Sequence, residues 1–182
     1  MIKLNYKNNT GFTLLEALVA ISILMVAIAA PITIAQKGLS SAIYTKSQMI
    51  ASYLAQDAFE YIKNVRDVVS INNPDNSYDW DSLNALSDCK VEDFLTGFGC
   101  QIDTNANGGL GEIKIYNASS LSISNGFYGY SAGGTETSFI RQIQIKLNPT
   151  GSNTDEALVV VTVKWGTTAD KQIIVKGLIY NY

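Results

Sequence analysis

Gly11-Phe12-Thr13-Leu14-Leu15-Glu16 opens a run that stays apolar to Ala35, apart from Thr13, Glu16, Ser22, Pro31 and Thr33. A helix of that length is enough to cross a bilayer. One carboxylate, Glu16, stands near its start. A lone acid at the bilayer centre costs about 2.5–3.5 kcal/mol on insertion scales. Glu16 therefore needs either a partner or a place at headgroup level.

The flanks set the direction of insertion. Residues 1–11 carry Lys3 and Lys7 and no acid. Basic flanks stay in the cytoplasm, so the chain beyond about Gln36 is expected outside. Three readings of the segment compete. A secretory signal would be cut after its core, where Ala27-Ile28-Ala29 offers a small-residue site, but Pro31 follows closely and Glu16 spoils the core. A plain anchor leaves Glu16 unexplained. A cut ahead of the core, between Gly11 and Phe12, would create an ammonium four residues before Glu16, on the same helical face one turn away.

Composition narrows the rest. The chain has 182 residues, 47% of them hydrophobic, enough for one modest domain and an anchor. A formal net charge of −3 argues against general nucleic-acid binding. There is no histidine, which removes Ser-His-Asp and Cys-His nucleophile systems and most zinc sites. No clustered acid–base or metal constellation points to an enzyme, and no catalytic residue is assigned. Cys89 and Cys100 are the two cysteines. On the exported side of a membrane they are expected to form a disulfide.

From residue 36 to 70 the pattern becomes that of an amphipathic helix. Leu39, Ile43, Ile50, Leu54, Ala58, Tyr61, Ile62, Val65, Val68 and Val69 recur at steps of three and four. Such a stripe needs a surface to cover it, and the C-terminal third supplies a sheet. Period-two alternation marks strands at 112–116, 138–147, 159–165 and 171–180, the last two joined across Gly166–Asp170. The expected fold class is α+β: a long N-terminal helix, half transmembrane and half amphipathic, packed on an antiparallel sheet spanning 112–182.

Residues 71–111 are expected as a variable connection. Asn72-Asn73-Pro74-Asp75-Asn76 is a turn signal. The cysteine pair would pin the stretch, with Trp80 and Phe94 or Phe98 as apolar pegs. Asp103-Thr-Asn105-Ala-Asn107-Gly108 matches the first half of a calcium loop, but Lys114 stands where the bidentate Glu is required. A Gly-rich turn is expected there, with a different kind of calcium site as the alternative; no other cofactor is implied. Phe127, Tyr128 and Tyr130 flank Asn125-Gly126. They are expected at a hairpin tip with core aromatics, against an alternative in which exposed rings stack on a glycan or mineral surface.

A short basic leader, Gly11, then Phe12-Thr13-Leu14-Leu15-Glu16 opening a hydrophobic helix resembles the class III leader of type IV prepilins and pseudopilins. The hairpin at 161–176 resembles that of minor pilins and pseudopilins, and Tyr53–Ile62 resembles minor pilins more loosely. The resemblance implies the ladle fold of pilins, with residues 1–11 as a cleaved leader. It implies a prepilin peptidase cutting after Gly11, N-methylation of Phe12, and Glu16 pairing with the Phe12 amine of a neighbouring subunit. It also implies that Pro31 marks a point where the helix melts inside the filament; an ordinary kink is the plainer reading. The partners implied are other pilin subunits, the peptidase, the pilus assembly platform and, before assembly, the membrane. The expected location is the cytoplasmic membrane as precursor, head outside, and then a surface filament. A pseudopilin of a secretion or DNA-uptake machine, and a membrane-anchored binding domain that never polymerises, remain as alternatives.

Overall fold

The computed structural model describes residues 11–72, 84–106, 111–130, 133–147, 156–166 and 170–180. Lys3, Lys7, the turn at 73–76, Trp80, Asn107 and the tip of the last hairpin lie outside the described residues. Two compact units emerge, one ending at Thr45 and one running from Lys46 to Tyr182. Helix α1, Leu14–Asn72, contributes to both.

In the first unit α1 is long and apolar enough to cross a membrane, and none of its most apolar window is buried by protein. Residues 14–35 rise about 33 Å, matching the hydrocarbon thickness of a bilayer. Leu14, Leu18, Ile21, Leu24 and Ile28 are all exposed. The helix continues through Pro31. Proline has no N–H, so the Ala27 carbonyl one turn earlier loses its usual donor. Nearby hydroxyls turn back onto the backbone: Ser22 donates to the Leu18 carbonyl at 2.8 Å and Thr33 to that of Ala30 at 2.8 Å.

The second unit is an α+β layer. Among the described residues seven antiparallel strands form one sheet: β1 Cys100–Asp103, β2 Glu112–Ile115, β3 Ser120–Ser124, β4 Phe127–Gly129, β5 Thr135–Leu147, β6 Glu156–Trp165 and β7 Lys171–Tyr180. β5 is the spine. One of its edges pairs with β6, which pairs with β7. Its other edge is shared by β3 near its start and β1 near Ile143, and these carry β4 and β2 outward.

Register explains the core. Ile143 faces Val161, which faces Val175; Ile145 faces Val159, which faces Gly177. Side chains on one face of a strand recur every second residue, so these rows make one continuous apolar surface. Against it α1 lays Ala51, Leu54, Ala55, Ala58 and Ile62, all buried, at i, i+3, i+4, i+7 and i+11 on one helical face. The small alanines let the helix backbone sit close. Ile50, Phe59, Tyr61, Val65 and Val69 pack around this line, whereas Val68 is about half exposed. Leu39 and Ile43, expected on the same stripe, remain 64% and 59% exposed.

The stretch expected as an irregular connection contains regular structure in its second half. A 3-10 helix, Asn84–Cys89, leads through the Cys89–Cys100 disulfide to β1. The loop between the cysteines covers the outer face of β5. Gln142 Nε2 donates to the Phe98 carbonyl at 2.7 Å, and Gln144 Nε2 donates to those of Phe94 (3.1 Å) and Gly97. The outer face is thus partly closed, and Gln144 is buried.

Gly177 marks a close approach of helix and sheet. A Cβ there would fall 2.4 Å from Phe59 Cζ. Gly177→Val should push the Phe59 ring off the sheet and cost about 1–3 kcal/mol, the usual range for overpacking. Urea denaturation followed by tryptophan fluorescence would read this, and an unchanged midpoint would refute the close-packing assignment.

Candidate functional site

The residues that start α1 form the first candidate site. Thr13 is its N-cap. The Thr13 hydroxyl oxygen accepts the Glu16 N–H at 3.3 Å, and the Thr13 carbonyl accepts that of Ala17 at 3.2 Å. Thr13-x-x-Glu16 is a capping-box pattern, with Glu16 in the first turn where the helix dipole favours an acid. The local signal was readable from spacing alone, but the transmembrane run drew attention from it. Phe12 precedes the cap, so it is not on the helix, and the one-turn relation to Glu16 expected from sequence is not a helical one in the uncut chain. Phe12 is 75% exposed, and Gly11 has open space where a side chain would be. Among the described residues the Glu16 carboxylate has no ion-pair partner.

The second constellation lies inside the head, and sequence reasoning missed it. Arg141 falls in phase with the buried Ile143 and Ile145 on β5 and is itself fully buried. That phase was the available signal: a cation on the apolar face of a central strand must find acceptors. Arg141 Nη1 donates to the Leu54 carbonyl and to Asp57 Oδ2, each at 2.9 Å, and Nη2 donates to the Ile102 carbonyl. One guanidinium thereby ties α1 to β1 through β5. Its Nε has no hydrogen-bond partner among the described residues. Tyr130, whose hydroxyl lies 3.4 Å from the Arg141 carbonyl, has its phenol pushed up to about 12, first by burial and only partly offset by the guanidinium.

Asp103, the first residue of the candidate calcium loop, is used structurally. Its Oδ1 accepts the Asn105 N–H at 3.2 Å and its Oδ2 accepts the Tyr130 N–H at 2.8 Å. The carboxylate staples the end of β1 to the end of β4. Asn105 lies beside it; Asn107 is outside the described residues. No group of three or more Cys, Asp or Glu poised for a metal occurs among the described residues. Cys89 and Cys100 are disulfide-bonded, as expected.

Together these features give an apolar helix segment with a capped start that is long enough to cross a membrane, and a second unit that holds its own core. Residues 6–30 match the prokaryotic N-terminal methylation motif. Over these residues the chain is similar to the precursors of type IV pilins and pseudopilins. Neither the comparison with curated proteins nor that with solved structures gives a match.

Arg141→Met keeps most of the volume and removes the charge. It should destabilise the head by about 2–4 kcal/mol, because buried acceptors lose their donor. Asp57→Asn should cost less than about 1 kcal/mol, because the Asp57 side chain is 48% exposed and water can replace much of the pairing. Parallel urea denaturation curves would order the two variants, and equal costs would refute the clamp.

Proposed function

We propose that this chain is a structural subunit of a type IV pilus-like filament, and a minor one. A peptidase cuts after Gly11, the Phe12 amine is methylated, and the hydrophobic part of α1 leaves the membrane to join the corresponding segments of other pilin subunits. The observation that carries this reading is the methylation motif at residues 6–30, running into a helix whose apolar side chains find no protein cover. Hydrocarbon or other helices must provide that cover, and a filament core is the second kind.

Glu16 then works between copies. A carboxylate among packed helices is costly alone and strongly held when a cation meets it. The amine of a neighbouring subunit supplies that cation and fixes how far one helix slides against the next. Because Phe12 lies ahead of the N-cap, the exposed Glu16 carboxylate is free to turn to a neighbour. Pro31, where one helical hydrogen bond is already missing, is the place where the helix opens most cheaply during packing. The minor-subunit reading rests on the β6–β7 hairpin sequence. A pseudopilin would use the same chemistry in a shorter fibre, and isolating sheared surface filaments that contain this chain separates the two.

Gly11→Val should leave the precursor uncut in the membrane, since a branched side chain then blocks the position whose side the peptidase approaches. Immunoblotting for the mobility shift reads this, and normal processing would overturn the assigned cut. Glu16→Ala should be cut normally, with a product beginning at Phe12, yet enter filaments at least about tenfold less than wild type, the equilibrium equivalent of about 1.4 kcal/mol. Quantitative mass spectrometry of sheared filaments measures this, and equal incorporation would remove Glu16 from assembly.

A further inference from the structure

A cavity of about 270 Å³ opens on the head beside α1, between the helix and the tip of the β3–β4 hairpin. Three aromatic rings wall it: Tyr53 from α1, and Phe127 and Tyr128 from β4. Polar edges come from Asp57, Thr104 and Asn105. Tyr53 and Phe127 are 65% and 60% exposed, so large apolar faces stand open to solvent.

The walls are held in place from behind. Asn125 and Gly126 both have positive φ, at 52° and 84°, as the tight two-residue turn of a hairpin requires. That turn presents Phe127 at the rim. Tyr128 is braced edge-on against Phe139, centroids 6.1 Å apart. Asp103 staples the two loops that carry Asn105 and the aromatic pair. The Thr104 hydroxyl donates to Asp57 Oδ2 at 2.8 Å. The site does not have to be assembled by its ligand, which lowers the cost of binding.

Charge decides between occupants. Aromatic rings around a carboxylate ordinarily favour a cation. Here the carboxylate is already paired, since Arg141 Nη1 holds Asp57 Oδ2 at 2.9 Å. Asp103, the nearest further acid, is buried and accepts two backbone amides. The groove therefore offers ring faces and hydrogen-bonding edges with little unspent charge. A neutral ring with an apolar face and a hydroxylated rim fits that chemistry. The volume, at the low end for ligand sites, suits one ring rather than a chain buried along its length.

We propose that this groove is a carbohydrate subsite that takes one neutral pyranose unit, stacked on Phe127 and Tyr53 and hydrogen-bonded through Asp57, Thr104 and Asn105. The inference lies wholly on the head and holds whether or not the chain polymerises. Saturation-transfer NMR on the full chain in phospholipid nanodiscs tests it, with glucose, galactose and N-acetylglucosamine as probes and Nα-acetyl-lysine amide as the cationic control. At least one sugar should receive saturation, strongest on the C–H groups of its apolar face. Phe127→Ala and Tyr53→Ala should each weaken binding about tenfold, the scale of a lost stacking contact. Leu95→Ala, a change to an exposed residue on the disulfide loop, should leave it unaltered. Saturation of none of the three sugars would overturn the proposal. So would signal that survives both ring substitutions, stronger binding of the lysine probe, or protection of Phe127 by a second copy that excludes sugar.

Discussion

Uncovered apolar surface is the constraint from which the rest follows. Leu14, Leu15, Leu18, Ile21, Ile23, Leu24 and Met25 stand exposed in succession. Burying each such side chain is worth about 1.5–3 kcal/mol, so a helix of this composition does not persist bare in water. The membrane meets that demand for a single chain. The head needs no such help, because its core is closed by its own helix segment and sheet. The uncovered run and the methylation motif share the same N-terminal stretch, residues 6–30, so the apolar demand and the motif fall on one segment.

Within the head, one buried cation substitutes for apolar packing. Arg141 bridges the Leu54 carbonyl, Asp57 and the Ile102 carbonyl, and so joins three elements far apart in sequence. A buried pair of this kind adds little net stability over a well-packed apolar group, because desolvation offsets attraction. What it does add is geometry. Asp57 and Ile102 are placed to accept from one rigid guanidinium fork, which fixes the helix against β1. The same ion pair leaves the neighbouring groove with its carboxylate already satisfied. Packing inside the head thus sets the chemistry presented at its surface.

How much of this was legible in the sequence depended on whether the signal was local. The hydrophobic run and its leader are contiguous, so length, basic flank and motif could all be read directly. β7 alternates most plainly, whereas β5 is buried on both faces at 143–145 and β6 at 159–163. β1 does not alternate, since Cys100, Gln101, Ile102 and Asp103 are all buried, enclosed from both sides. β3 and β4 are short, and serine fills the positions between Leu121 and Ile123. Arg141 was passed over because its neighbours Gln142, Gln144 and Lys146 made the polar face of β5 easy to see. Its own phase with Ile143 pointed inward, but its acceptors come from α1 and β1. Asp103 shows the same limit. Its spacing to Asn105 resembles half a calcium loop, yet one of its donors is the Tyr130 amide, which no local pattern connects to it.

Glu16 joins the two scales. In the uncut chain it occupies the first turn of a capped helix, where the dipole favours a negative charge. Under the proposed cleavage a cation appears two residues ahead of that first turn, at the end of the dipole that disfavours it. An acid in the same turn offsets the conflict within one chain. An acid from an adjoining chain offsets it across two, and then also records their axial offset. The capping pattern and the assembly pairing therefore both bear on position 16. The cap accepts Glu or Gln three residues after Thr13, whereas the pairing needs the charge. A glutamine would keep the side chain's reach to the cap but lose the charge, so the two demands part only when the ionised group itself is removed.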